Sequence, residues 1–90
     1  MQRCKIMGKY DKVLVQVTSG SSDANISFDE LCQLLTRLGF DSRVRGSHHI
    51  FFKRGVVERI NLQHDGNKAK PYQVRQVRRI ISENKLGETI

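Results

Sequence analysis

The chain has 90 residues, with 16 lysines and arginines against 9 aspartates and glutamates, and a formal net charge of +7 at pH 7. A chain of this length forms one domain that buries about 60–65% of the surface exposed by its unfolded state, which excludes a multidomain enzyme around a large buried cofactor. The apolar content of 38% is enough for a folded domain, and the excess of positive charge predicts an anionic partner.

The N-terminal residues carry a mixed pattern. The spacing of Tyr10, Val13, Leu14 and Val17 fits one face of a helix, although the segment 13–17 can also alternate as a strand. We favour a short helix, followed by a loop at Ser19-Gly20-Ser21-Ser22. Residues 1–23 are therefore interpreted as an N-terminal extension, predicted to be helical, and residues 24–87 as the main domain.

A second helix is predicted over residues 27–38. Ser27-Phe28-Asp29-Glu30 is a capping box, in which the serine hydroxyl and the glutamate each satisfy a free backbone N–H group. Gly39 followed by Phe40 provides a left-handed stop. The apolar residues between these signals recur at helical spacing: Phe28, Leu31, Leu34, Leu35 and Leu38.

Three short β-rich runs follow, at about 42–45, 49–53 and 56–63, with a tight turn at Arg54-Gly55 between the last two. In the third run, Ile60 and Leu62 alternate with polar residues, as in a strand with one buried face. In the second run, Ile50 and Phe52 point to one side and Phe51 to the other. The polar residues 64–70 are predicted to form a loop.

A last helix is predicted over residues 71–84. Pro71 is tolerated at its first position, and an apolar stripe of Val74, Val77, Ile80 and Ile81 lies on one face. The opposite face carries Arg75, Arg78 and Arg79. The order of elements predicts an α+β fold of the α-β-β-β-α type, with a three-stranded antiparallel sheet and helices on one face.

The positive charge is concentrated in the second half of the chain. Residues 1–42 hold five basic and five acidic side chains, whereas residues 43–85 hold eleven basic and three acidic ones. A basic surface can serve solubility alone, but this asymmetry favours binding of a polyanion.

Cysteine content and hydropathy limit the setting of the protein. Cys4 and Cys32 are too few for a disulfide framework, and both are expected to be unreactive thiols. No apolar run exceeds three residues, so we predict no membrane span, no secretory signal and a cytoplasmic location.

No cysteine and histidine cluster has the spacing of metal ligands, and no glycine-rich phosphate loop or Gly-x-Ser-x-Gly motif occurs. We therefore expect neither a metal nor a small-molecule cofactor. The chemical candidates are three histidines, His48, His49 and His64, because an imidazole titrates near pH 6.5 and can act as a general acid or base on a phosphodiester.

His48 and His49 end a basic segment that begins Arg43-Val44-Arg45-Gly46-Ser47. Adjacent residues of a strand face opposite sides, so only one of the two histidines can point at a given site. His48 has the same parity as Ile50 and Phe52, and we therefore place it at an irregular entry to the strand. A histidine at a strand start is, taken alone, more often a structural residue than a catalytic one.

Three blocks of the sequence together resemble the HicA family of toxins from bacterial toxin–antitoxin pairs. They are FDELCQLLTRLGF (28–40), RVRGSHHIFFK (43–53) and GNKAKPYQVRQVRRII (66–81), and the resemblance covers about residues 24–86. It implies a fold like that of double-stranded-RNA-binding domains, ribonuclease activity on mRNA, and neutralisation by a HicB-type antitoxin.

The resemblance assigns catalysis to the histidine of Gly-Ser-His, which is His48 here, with Gly46 leaving room for the substrate. Many family members carry Pro-x-His after the third strand, whereas this chain has Leu62-Gln63-His64-Asp65, so the resemblance gives His64 no role. The residues expected to contact RNA are Arg45, Gly46, Ser47, Lys53, Lys68 and Lys70.

Two alternatives stay open at this stage. A non-catalytic RNA-binding module would share the same fold and charge, and would bind RNA with strong salt dependence but without cleaving it. The arginines of the last helix, Arg75, Arg78 and Arg79, can contact either RNA or an acidic antitoxin.

Overall fold

The computed structural model describes residues 9–86. This range contains three α-helices, together with a short 3-10 turn at Asp23–Asn25. The helices are α1 (Lys9–Ser19), α2 (Phe28–Arg37) and α3 (Pro71–Glu83), and the strands are β1 (Asp41–Arg45), β2 (His48–Lys53), β3 (Val56–Leu62), β4 (His64–Asp65) and β5 (Lys68–Ala69). The predicted α+β fold with its three-stranded antiparallel sheet is confirmed. Within residues 9–86, no helix has the length and apolar character needed to cross a bilayer.

The ends of α2 follow the predicted signals. The Ser27 hydroxyl accepts a hydrogen bond from the Glu30 backbone N–H at 3.3 Å. At the other end Gly39 has a φ of +99°, and Phe40 N–H donates to the Leu35 carbonyl at 3.0 Å, which closes a Schellman motif. The helix therefore stops where β1 has to begin.

The main sheet has the order β1-β2-β3, and both pairings are antiparallel. Between Phe51 and Lys53 the register of β2 on β3 shifts, because Phe51 pairs with Ile60 while Lys53 pairs with Val56. The shift is an even number of residues, so the inward and outward alternation is the same on both sides of it.

The helices cover one face of this sheet and leave the other open. Phe51, Ile60 and Leu62 are buried on the covered face, whereas Arg59 and Asn61 are exposed on the other. Ile50 and Phe52 are only half-buried, on the open face. The core lies between sheet and helices and includes Val13, Val17, Ile26, Phe28, Leu31, Leu34, Leu35, Leu38, Phe40, Val74, Val77, Ile80 and Ile81.

The segment 64–70, predicted as a loop, is instead a small hairpin of β4 and β5. Gly66 has a φ of +66°, which permits the tight turn. The hairpin is also bound to the entry of α2: Phe28 N–H donates to the Asn67 carbonyl at 3.0 Å, and Ala69 N–H donates to the Ile26 carbonyl at 2.9 Å. Some backbone hydrogen bonds of residues 64–70 are therefore made with a distant part of the chain, and the local composition of this polar segment does not predict them.

Helix α1, favoured over a strand in the sequence, packs against α2 and α3 through the buried Val13 and Val17. Arg78 of α3 joins this region to the domain. Its guanidinium donates to both carboxylate oxygens of Asp23, at 2.9 and 3.3 Å, and to the Val17 carbonyl at 3.2 Å. The end of α1 and the 3-10 turn are therefore bound to α3 by one partly buried cation.

Replacing Arg78 with Gln is expected to lower the free energy of unfolding by about 1–3 kcal/mol, because hydrogen bonds to a charged group are lost and Asp23 keeps a partly buried carboxylate without its cation. Urea unfolding followed by circular dichroism measures the change. Arg75→Gln removes the same charge from an exposed position of the same helix and is expected to change stability by less than about 0.5 kcal/mol. Equal effects of the two substitutions would show that the Arg78 contacts contribute nothing.

Candidate nucleic-acid interface

Gly46 and Ser47 form the two-residue turn of the β1–β2 hairpin, between the paired residues Arg45 and His48. Gly46 has a φ of +58°, as the first position of a type II′ turn requires. A Cβ atom at Gly46 would meet nothing within 4 Å, so backbone conformation and not crowding requires glycine here. The turn places Arg45 and His48 side by side on the open face of the sheet.

His48 is an exposed, regular residue of β2, and the prediction of an irregular strand entry is wrong. Its parity with Ile50 and Phe52 does not bury it, because in this sheet Phe51 is the buried member of the run and the other two lie on the open face. Ile50 and Phe52 are bulky and apolar, which is why the sequence predicts the open face of the sheet to be the buried one.

Polar side chains of β3 and the residue after it fix the orientation of the His48 ring. Nδ1 of His48 lies 3.1 Å from Oδ1 of Asn61, and because an amide oxygen can only accept, this contact favours the tautomer with the proton on Nδ1. In that tautomer Nε2 of His48 carries the lone pair, and it accepts a long hydrogen bond of 3.5 Å from the Nε2 amide group of Gln63. The ring therefore presents a basic nitrogen at the surface.

Neither Asn61 nor Gln63 was identified from the sequence, although both occupy the polar positions that alternate with Ile60 and Leu62. A third residue that was missed is Gln73 of α3, which is 2% exposed. Its Oε1 accepts from the Gln63 backbone N–H at 3.2 Å and so holds the end of β3 against α3. A glutamine inside an apolar stripe was the one available signal for this contact.

Three arginines accompany His48 on the open face: Arg43 and Arg45 from β1, which pair in register with Ile50 and His48, and Arg59 from β3. None of the three forms an ion pair with a carboxylate within residues 9–86. Arg43 and Arg59 both lie over the ring of Phe52, with guanidinium carbons 5.9 and 5.4 Å from its centroid. The open face therefore carries more positive than negative charge, although Asp41 is the cross-strand partner of Phe52, and it presents the phenyl ring of Phe52 in addition to the His48 imidazole.

The lysines predicted to bind RNA are divided between the two ends of the sheet. Lys53 is the last residue of β2, about 16 Å along the strand from His48, and a Cβ at Gly39 would lie 2.6 Å from its Nζ. Lys68 belongs to the β4–β5 hairpin and Lys70 is the N-cap of α3. Both come a few residues after Gln63 in the sequence, and Gln63 contacts His48. The structure brings Arg45, Gly46 and Ser47 next to His48 and leaves Lys53 distant.

The other two histidines lie together around Phe28. The His64 ring stacks on Phe28 at 3.7 Å between centroids, and His49 meets the same ring edge-on at 4.9 Å. His49 is on the covered side of β2, with Phe51, and His48 is on the open side, as strand alternation predicts. His49 and His64 therefore act here as packing residues beside the entry of α2.

A groove of about 340 Å³ lies between α2 and the first two strands, with His49, Phe51 and Cys32 among its lining residues. Burial, followed by the nearby charge of Asp29, raises the pKa of the Cys32 thiol to about 11. The thiolate is then scarce at neutral pH, which agrees with an unreactive cysteine. Cys4 lies outside the described residues. Within residues 9–86, no group of three His, Cys, Asp or Glu side chains is arranged to hold a metal ion.

The arginines of α3 differ in how they are used. Arg78 is bound to Asp23, as described above, and Arg79 donates to both carboxylate oxygens of Glu58 at 2.7 Å and to Glu83 at 3.1 Å. The hydrogen bond from Arg79 lowers the pKa of the Glu58 carboxyl. Arg75 is exposed and has no ion pair within the described part of the chain. Of the three, Arg75 presents its charge most freely to a partner.

Comparison with known protein families matches residues 28–82 to the family described as HicA toxin of bacterial toxin-antitoxin. The matched segment runs from the first residue of α2 almost to the end of α3 and includes the whole sheet and His48. Searches among curated proteins and among solved structures found no match. Because the match covers more than half of the chain, the protein belongs to the HicA family and is the toxin of a toxin–antitoxin pair.

Proposed function

We propose that this toxin is a metal-independent endoribonuclease that cleaves mRNA and thereby stops translation and growth, with His48 as its general base. The observation that carries the proposal is the His48 ring on the open face, where Asn61 holds the proton on Nδ1 and leaves Nε2 basic. A positioned imidazole with a free nitrogen can remove a proton from a hydroxyl group near neutral pH.

The reaction begins when Nε2 of His48 takes the proton of a ribose 2′-OH. The 2′ oxygen attacks the adjacent phosphorus and the bond from phosphorus to the 5′ oxygen breaks. The leaving oxygen takes a proton from a water molecule, which recovers one from the His48 imidazolium. The products are a 2′,3′-cyclic phosphate and a 5′-OH end. Asn61 stabilises the imidazolium by accepting a hydrogen bond from Nδ1. The contact between Gln63 and Nε2 is 3.5 Å long and therefore weak, so the substrate hydroxyl can replace it.

Arg45 is proposed to hold the phosphate under attack, because it pairs in register with His48 and no carboxylate within residues 9–86 neutralises it. Gly46 and Ser47 provide backbone and hydroxyl groups beside the same position. Lys68 and Lys70 are assigned to neighbouring phosphates. Lys53 lies at the far end of β2 with the parity of the buried Phe51, and it is assigned to a phosphate beyond the edge of the open face. The chemistry requires a 2′-OH, which explains a preference for RNA over DNA.

An antitoxin is the second partner of a toxin of this family, and we infer that it is of the HicB type. An acidic inhibitor could cover the same cationic face that binds RNA, and the exposed Arg75 offers it a further contact on α3. Because Arg78 and Arg79 are already paired with carboxylates, we assign them a smaller share of either interface.

Incubation of the purified protein with end-labelled mRNA, with and without EDTA, distinguishes the nuclease from a binding module. We expect strand scission at the same rate in both samples. Loss of cleavage in EDTA would contradict the metal-independent mechanism. Retention of intact RNA, with log Kd changing by about 0.7–0.9 per neutralised phosphate for each tenfold change in salt, would establish the non-catalytic module instead.

A further inference from the structure

Phe52 is the aromatic ring of the open face, and its surroundings are unusual for a residue of its type. It is half-buried in the middle of a polar surface, and two guanidinium groups from the neighbouring strands lie over it at 5.9 and 5.4 Å. Both distances are within the range of a cation–π contact but too long for close stacking, so a ligand that stacks on the ring has to displace only weak contacts. A flat ligand can then contact both the ring and the guanidinium planes.

Positive charge exceeds negative charge beside Phe52, where Arg43 and Arg59 outnumber Asp41, the residue that pairs with Phe52 in register. Neither Arg43 nor Arg59 forms an ion pair in residues 9–86, in contrast to Arg78 and Arg79, which each bind a carboxylate. A partner that fits this place combines negative charge with a planar group. Nucleotides have both features, since their phosphates bind arginine and their bases stack on aromatic rings and guanidinium planes.

The position of Phe52 relative to His48 adds a second argument. The two residues share the open face of β2, four positions and about 13 Å apart, with Ile50 between them. An RNA strand that lies along β2 would thus pass His48 at one end and Phe52 at the other. Bases in a duplex are stacked on each other, so only an unpaired strand can place a base on this ring.

We propose that Phe52, flanked by Arg43 and Arg59, is a base-stacking subsite for single-stranded RNA, a short distance along the strand from the bond that is cleaved. The inference rests on the proposed function, since it names the substrate class of the same site. It makes the toxin select unpaired segments of mRNA by stacking, without reading the identity of the base.

The test uses two substitutions of Phe52 in the His48→Ala background, which prevents cleavage during the measurement. Phe52→Leu keeps an apolar side chain but removes the ring, and we expect it to weaken binding of a short unstructured RNA about 5- to 150-fold. The salt dependence of binding is expected to stay the same, because no phosphate contact is removed. Tyr72→Leu, which removes the exposed aromatic ring of Tyr72 on α3, away from the open face, is the matched control and should change the affinity less than twofold.

Phe52→Trp supplies a direct probe, because the chain contains no tryptophan. This variant is expected to bind the unstructured RNA as tightly as its parent, and its fluorescence should be quenched on stacking with a base. A hairpin RNA with a fully paired stem of the same length should bind more weakly and quench less.

Unchanged affinity of a folded Phe52→Leu variant, or equal quenching by paired and unpaired RNA, would overturn the subsite. So would a loss confined to the complex with the antitoxin, which would make this face a protein interface. The result is separable from the proposed function. If the protein with native His48 does not cleave RNA while Phe52→Leu weakens RNA binding, the nuclease proposal fails and the subsite stands. If that protein cleaves RNA and Phe52→Leu binds RNA normally, only the subsite fails.

Discussion

Replacement of His48 by Ala is expected to lower the rate of RNA cleavage by about 10²- to 10⁴-fold, the range that one general base contributes. The ring is exposed and packs against no core residue, so the variant should fold normally and bind RNA nearly as well as the native protein. In cells, its induction should no longer arrest growth. Cleavage rates under single-turnover conditions, beside RNA affinity from fluorescence anisotropy, measure the two properties separately.

Asn61 provides the matched comparison, because it acts on the reaction only through the His48 ring. Asn61→Ala removes the acceptor that keeps the proton on Nδ1, and a smaller loss of rate than in His48→Ala is expected, with RNA affinity unchanged. Asn61→Asp keeps an acceptor at the same place and should retain more activity than Asn61→Ala. A well-folded His48→Ala protein that cleaves and arrests growth like the native one would remove His48 from the mechanism.

Replacement of Phe28 by Ala is expected to lower the free energy of unfolding by about 3–5 kcal/mol, because a fully buried aromatic side chain is lost and a cavity remains. Domains of this size have a total stability of about 5–15 kcal/mol, so the variant should unfold at a much lower temperature or fail to fold. Phe28 also carries the stacked ring of His64 and the edge of His49, whose packing is lost with it. Thermal unfolding followed by circular dichroism gives the size of the effect.

Two controls make that result specific to the aromatic cluster. Gln33→Ala, at an exposed position of the same helix, should change stability by less than about 0.5 kcal/mol. Phe28→Leu keeps most of the apolar volume and should cost less than Phe28→Ala. The stability that Phe28→Leu still loses measures the missing part of the ring, including its contacts with the two imidazoles. If Phe28→Ala were as stable as Gln33→Ala, the cluster would not support the fold.

The parts of the fold that the sequence predicts are those that local chemistry determines. The capping box at Ser27 and the left-handed stop at Gly39 fix the ends of α2, and Pro71 fixes the start of α3, because each signal acts within one turn of helix. The positions of the three main strands are also predicted closely. Apolar and polar residues alternate around Ile60, as they do in any strand that has one buried face. The β4–β5 hairpin is not predicted, because the backbone groups of Asn67 and Ala69 form hydrogen bonds with Phe28 and Ile26, which lie far away in the sequence at the entry of α2.

The candidate site is predicted only in part for a related reason. His48 stands out from the sequence, but its partners Asn61 and Gln63 come from another strand, and their place beside it depends on the register of β2 on β3. That register depends on the irregular pairing between Phe51 and Lys53, and no pattern in the sequence predicts this irregularity. The open face was equally hard to assign, because Ile50 and Phe52 are apolar residues on the side that the helices leave uncovered.

We propose that the toxin breaks RNA by attack of the neighbouring 2′-OH, with His48 as the base. The most direct measurement uses an RNA oligonucleotide with one cleaved bond, and a second copy in which the nucleotide before that bond lacks its 2′-OH. We expect the first to give a 2′,3′-cyclic phosphate and a 5′-OH end in the presence of EDTA, and the second to stay intact although it binds equally well. Cleavage of the deoxy-substituted copy at the same bond, or ends carrying a 5′-phosphate, would contradict the mechanism.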